Sequence, residues 1–461
     1  MKLDLLVVDA LVVNPFQPPV RADVGIHEGR IVSVSTTVDR PPARRTVDAQ
    51  GRPLLPGVID PHVHTGYVTP DQPERELATE TAHGVLGGVT SFVKMERSFD
   101  DYDYLDELIP KYQENSLVDF AIHLTLMTEE QLSSVARYAD HFGVSSFKFF
   151  MGRRDPEPGS MVKRGVDDGY LLEGFDRVAE LGGTALVHAE NQDIIWRMRR
   201  QWREQGRGDD QLASWSLTSP SIAEAENIQR AGMFARQTGC PLYVVHLSSA
   251  AGLAAVRDAA ARGTTIHAET CAHYLTHTQD SEAGYLAKVN PPVRTSVDND
   301  GLWQGLADAG VTCMGSDHGA KPLELKGLDG SIWDAAAGFP NMMHTLPVLL
   351  SEGVGKGRLD LRRVAELTAG WPARIFGLTD RGAIAPGMCA DLMLLDLELE
   401  KTVSAQWHRS GAPYSIYEGV TFRGWPVLTV ARGELVMEDG EILPRSGPAR
   451  YLRRAVGTRG R

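Results

Sequence analysis

Pro56-Gly57-Val58-Ile59-Asp60-Pro61-His62-Val63-His64 is a short apolar run that ends in two histidines one residue apart. In a β-strand side chains alternate with period two, so His62 and His64 leave the same face and can reach one metal ion. Two histidines at a solvated strand end would have the same spacing, and the run alone does not separate the readings. Partners placed at the ends of later strands do.

From the strand Gly57 to His64 onward, apolar segments alternate with helical ones: Val89 to Met95, Val118 to Leu126, Ser145 to Phe150, Thr184 to Glu190, Pro241 to Leu247, Thr264 to Thr270 and Val311 to Asp317. Helical periodicity lies between them, as in Glu76 to Leu86, Glu129 to His141, Leu171 to Leu181, Ile222 to Gln237 and Gly252 to Arg262. Eight strand–helix units are the count of a (β/α)₈ TIM barrel. A doubly wound sheet also alternates, but it more often carries a Gly-rich phosphate loop after its first strand, and none follows His64.

Short Val- and Ile-rich pieces precede the barrel, at Asp4 to Val13, Asp23 to His27 and Arg30 to Ser35, and similar ones follow Thr379. They predict a small β-sandwich formed by the terminal segments 1–54 and 379–461, flanking a catalytic barrel over 55–378. The tail from Gly447 is basic and reads as an arm.

A chain of 461 residues can bury a large core, and a net charge of -13 argues against nucleic acid or an anionic membrane as partner. Cys240, Cys271, Cys313 and Cys389 are too scattered for a zinc ribbon or a disulfide framework. The start, Met1-Lys2-Leu3-Asp4-Leu5-Leu6, has no secretory pattern, and no apolar run is long enough to span a bilayer. The expectation is a soluble cytoplasmic protein.

A barrel places its active groups at the C-terminal ends of its strands. There the first strand offers His62 and His64, the fourth Lys148, the fifth His188, the sixth His246 and the eighth Asp317. Singly, His188 and His246 would pass as satisfied core histidines and Asp317 as a helix N-cap. Together they make a metal site. Lys148 sits among aromatics in Phe147-Lys148-Phe149-Phe150, where burial would depress its pKa. The neutral amine can take up carbon dioxide to give a carbamate that bridges two metals; the alternative is a lysine snorkelling out of the strand end.

These residues, in this order on these strands, resemble the binuclear site of the amidohydrolase superfamily, in particular its cyclic amidases: hydantoinase/dihydropyrimidinase, allantoinase and dihydroorotase. Similar too are Val187-His188-Ala189-Glu190-Asn191, Glu269-Thr270-Cys271-Ala272-His273-Tyr274-Leu275, Lys288-Val289-Asn290-Pro291-Pro292 and Gly315-Ser316-Asp317-His318. The resemblance runs nearly end to end. It implies two divalent ions, zinc or else manganese or cobalt, one held by His62, His64 and Asp317 and the other by His188 and His246. Carboxylated Lys148 and a hydroxide would bridge them. It further implies hydrolysis of a cyclic amide or ureide, hydantoinase-like, with the hydroxide as nucleophile and Asp317 as general base and then acid. Allantoinase- or dihydroorotase-like activity, or a linear amide or carbamate as substrate, are the alternatives. A homo-oligomer, tetramer or dimer, follows from the same resemblance. A one-metal deaminase is disfavoured by Lys148, and a metal-free scaffold by the full ligand set.

The departures bear on specificity. Gly66 stands where dihydroorotases place an Arg for the substrate carboxylate, whereas Asn290 matches the dihydroorotase Asn-Pro-Pro motif. Arg153 stands where hydantoinases place an oxyanion-binding Tyr, and Ala337 where they place an Asn. An Arg at that position can hold an oxyanion or clamp a carboxylate, or else face solvent in a lid loop. Arg153, Asn290 and Gly66 are thus the candidate substrate-binding residues, and Thr65 to Arg75 and Gly152 to Gly165 the loops expected over the pocket.

Overall fold

A computed structural model describes residues 2–37, 40–152, 165–207, 211–328 and 330–454. Its centre is a parallel sheet whose strands follow chain order: Val58–His64, Val89–Glu96, Asp119–Thr125, Ser146–Phe150, Thr184–His188, Leu242–Val244 and Ile266–Thr270. Ser146–Phe150 is buried at every position, as expected of a strand with side chains packed on both faces. The eighth segment is split. Cys313–Met314 pairs with the seventh strand, and His318–Gly319 pairs with the first through His318↔Val63 and Gly319↔His64. The split segment joins the last strand to the first, and the fold is a (β/α)₈ barrel with a small β-sandwich beside it.

Helices Pro73–Leu86, Asp168–Glu180, Ser221–Thr238, Ala250–Ala261 and Ser296–Ala307 wrap the barrel. Three of the starts are capped by side chains: Asp167 accepts from Tyr170 N, Ser249 accepts from Gly252 N, and Thr295 with Asp298 forms a capping box. The stretch expected as one helix over Glu129 to His141 is two, Glu129–Ser133 and Val135–Phe142. The second stops at Gly143, whose φ of 66° is left-handed.

The other sheet mixes both ends of the chain. Leu3–Val12 pairs antiparallel with Val20–His27 and parallel with Ala43–Asp48 and Pro53–Pro56, and Pro53–Pro56 pairs antiparallel with Leu392–Thr402. Thr421–Ala431 and Glu434–Glu438 extend it. Leu5, Val7, Val24, Ile26, Leu392, Leu394 and Val430 form its own core. The basic tail is not a free arm as far as Arg454: Arg450 O accepts from Phe120 N at 3.0 Å, and Arg454 is buried with Nη1 2.7 Å from Ser146 Oγ. Among the described residues, no helix is long and apolar enough to cross a membrane.

Candidate metal centre

The first strand delivers His62 and His64 to one point, as period two requires. His62 Nδ1 lies 2.7 Å from Glu269 Oε1, which orients its ring. Its Nε2 then faces His64 Nε2 at 3.2 Å and Asp317 Oδ1 at 3.3 Å. Asp317 Oδ1 is 3.4 Å from His64 Nε2, and one ligand atom from each of the three residues falls within 4.8 Å of the others. Burial lowers the pKa of His62 to about 3 and holds His64 well below its usual value. Both are neutral imidazoles near neutral pH, the form that donates a lone pair to a metal.

A second pair adjoins the first. His188 Nδ1 is 2.9 Å from His246 Nε2, and the His246 ring centre is 5.4 Å from that of His62. His188 Nε2 meets Glu190 Oε2 at 3.0 Å, and Glu190 Oε1 accepts from Ser219 Oγ at 2.6 Å. His246 lies just past its strand with a φ of 41°, and Asp317 sits in the gap of the split eighth segment with a φ of 48°. These left-handed turns are costly for non-glycine residues, and strain of that kind collects at functional sites. Asp317 caps no helix.

Lys148 is 1% exposed, with Nζ 5.3 Å from the centre of the Phe150 ring, so it does not snorkel to solvent. Burial pulls its pKa down to about 7 against the opposing charges of Glu269 and Asp317. Asp317 moves the other way, raised to about 6, again chiefly by burial. The amine and the carboxyl therefore both titrate near neutrality.

These donors suit a divalent cation. Four imidazoles, a carboxylate and a lysine that readily becomes neutral are gathered in one buried cluster, and His62 and His188 are each backed by a buried carboxylate. Such backing carboxylates fix ring tautomer and orientation at metal sites.

Glu269, one of the backing pair, also accepts from Tyr243 Oη and His246 N, both at 3.0 Å. Burial raises its pKa to about 7. Its importance escaped the sequence reading, although its place at the end of the seventh strand was a signal. Gly315 makes room for it: a Cβ there would lie 2.4 Å from Glu269 Cδ. Arg97 was missed as well; its Nη2 lies 3.1 Å from His64 Nδ1, and it donates to Tyr67 Oη.

Of the expected substrate-binding residues, Gly66 gives its N–H to Glu76 Oε2 at 2.8 Å, beside His64 in the chain. Asn290 Oδ1 accepts from Trp215 Nε1 at 3.1 Å. Arg153, with most of the loop Gly152 to Gly165, lies outside the described residues.

The amidohydrolase family profile matches residues 221–436. L-hydantoinase of Paenarthrobacter aurescens is 34% identical over 444 residues, covering 94% of each chain. The allantoinase of Solibacter usitatus is 37% identical over 437 residues, covering 93% of this chain and 92% of that one. The solved structure of L-hydantoinase (dihydropyrimidinase) from Arthrobacter aurescens, 33% identical, superposes with a TM-score of 0.88 over 97% of this chain and 98% of that one. With relatives of that identity aligned along nearly its whole length, the chain belongs to the amidohydrolase family, among its hydantoinases and allantoinases.

Proposed function

We propose that this protein is a metal-dependent hydrolase of C–N bonds in cyclic amides or ureides, hydantoinase-like, with allantoin as the other ring class to test. The observation that carries the reading is the convergence of His62, His64 and Asp317 beside His188, His246 and buried Lys148. In this reading His62, His64 and Asp317 would hold one divalent ion and His188 and His246 the other, with Lys148, carboxylated, as a further ligand. Zinc suits the imidazole-rich set, with manganese or cobalt as substitutes. Two such ions supply Lewis acidity, acidifying water and polarising the amide carbonyl.

The chain's own groups do the rest. Asp317, set beside His62 and His64 with its carboxylate on the cluster, holds the proton taken from water and returns it to the leaving nitrogen, acting first as base and then as acid. Glu269 and Glu190 keep His62 and His188 turned toward the cluster. Residues 55–378 supply this chemistry, and segments 1–54 and 379–461 form the satellite. Self-association as a tetramer or dimer and a cytoplasmic setting complete the proposal. The four cysteines are all buried and form no disulfide, which suits a reducing compartment.

A hydrolysis screen of the metal-loaded protein over hydantoin, dihydrouracil, allantoin and dihydroorotate tests the reading. Ring opening of at least one class supports it, and opening of none with both ions bound contradicts it.

A further inference from the structure

We propose that Arg97, Tyr67 and Lys321 form a subsite beside the metal centre for a carboxylate carried by the cyclic substrate. The inference rests on the ring-hydrolase reading and adds the class of ring. Arg97 follows the Val89–Glu96 strand and is half-buried. Its partners are His64 Nδ1 at 3.1 Å, Tyr67 Oη and the face of Phe150, 5.9 Å from the ring centre. None of them carries a negative charge. Arg363 and Arg381, by contrast, reach Glu366 and Asp391 at 2.9 Å each, the usual solution for a guanidinium taken out of water. Lys321 is 4% exposed, and its ammonium lies 3.1 Å from the centre of the Tyr67 ring. Tyr67 is therefore bracketed by two cations, one at its hydroxyl and one over its face.

The contact with His64 adds a second argument. A guanidinium has only donors, so His64 Nδ1 must accept and the ring proton sits on Nε2, which faces His62 Nε2 at 3.2 Å. For His64 to offer Nε2 as a metal ligand, that proton has to move to Nδ1. Two donors then oppose each other across the 3.1 Å contact, and Arg97 is freed from the histidine. A carboxylate, planar and able to accept two parallel N–H bonds, is the group that suits a guanidinium released in this way. Arg97 and Lys321 both lie against Tyr67, and Arg97 also touches His64, so their positive field falls on one side of the cluster. A neutral ring draws little from that field, whereas an anionic one is oriented by it.

The test compares 5-(carboxymethyl)hydantoin with its uncharged carboxamide, which shares its ring and nearly its size, on the metal-loaded protein. Product formation and calorimetric binding are read separately, so the subsite is decided even if no ring opens and the hydrolase reading falls. Wild type is expected to favour the carboxylate by about 10- to 100-fold in kcat/KM or Kd. Arg97→Gln and Lys321→Gln should each collapse that ratio toward unity, with metal content measured in parallel. If Arg97→Gln does not fold, Lys321→Gln, which leaves the His64 contacts in place, decides alone. Equal handling of the two compounds by wild type, or binding of neither, overturns the proposal. So does an equal loss of both in Arg97→Gln, which would make Arg97 a prop for His64.

Discussion

With its pKa pulled to about 7, Lys148 is protonated below that pH and increasingly neutral above it. Carbon dioxide adds only to the neutral amine, so bicarbonate-dependent metal uptake by the stripped protein is expected to rise with pH through about 7. Uptake by Lys148→Met should lack that bicarbonate dependence; a wild-type profile flat between pH 6 and 8 would contradict the carbamate. Gly315 offers a steric check. Because its Cβ would meet the Glu269 carboxylate, Gly315→Ala should cost about 1–3 kcal/mol in urea denaturation, the usual range for overpacking. No measurable loss would mean that Glu269 is less firmly held than its contacts indicate. His62, His64, His188, His246 and Asp317 were legible because polar, metal-competent groups recur where apolar strands end. Glu269 and Arg97 stand at equivalent places, yet acids and arginines at strand ends are commonly solvated, and spacing alone does not say which way they turn.

The loop after the first strand is pinned by a single carboxylate: Glu76 Oε2 accepts the N–H groups of Gly66, Tyr67 and Val68 at 2.8, 2.8 and 3.1 Å. Glu76→Ala strands those donors at a cost of about 1–3 kcal/mol and should loosen the loop that carries Tyr67. Hydrogen exchange over residues 65–75 is the readout, and protection equal to wild type would show that something else holds the loop. The same scale explains where strand reading stopped short. Val89–Glu96 and Ser146–Phe150 are continuous buried runs and stand out. The eighth segment breaks into two-residue pieces around Asp317, and no periodicity exists over two residues. Ala43–Asp48 was overlooked because it is half-exposed and rich in arginine, and Pro53–Pro56 because prolines bound it.

Across the whole molecule, the C-terminal segment is fastened to the barrel through Asp119. This buried carboxylate meets Arg381 at 3.5 Å, Arg432 at 3.3 Å and Arg445 at 3.2 Å, and accepts from Arg450 N at 2.9 Å. Removing one member of a buried ion network leaves the others uncompensated, so Asp119→Ala should lose about 3–5 kcal/mol and unfold at lower urea. An unchanged midpoint would mean that the two sheets are held together by apolar packing alone. The alternation of strands and helices made the barrel legible, and the Val- and Ile-rich ends made the satellite so. The docking of Tyr451, whose Oη donates to Phe142 O at 2.8 Å, and of Arg454 against the barrel was hidden, because a basic tail has the composition of a free arm.

The metal cluster is the claim on which the rest depends, and metal content by mass spectrometry, for wild type and Lys148→Met, tests it most directly. Wild type is expected to carry about two divalent ions per chain, and the variant fewer, since the bridging group is gone. A wild-type protein that holds no ion, even after zinc or manganese is supplied with bicarbonate, would contradict the account and remove the hydrolytic reading with it.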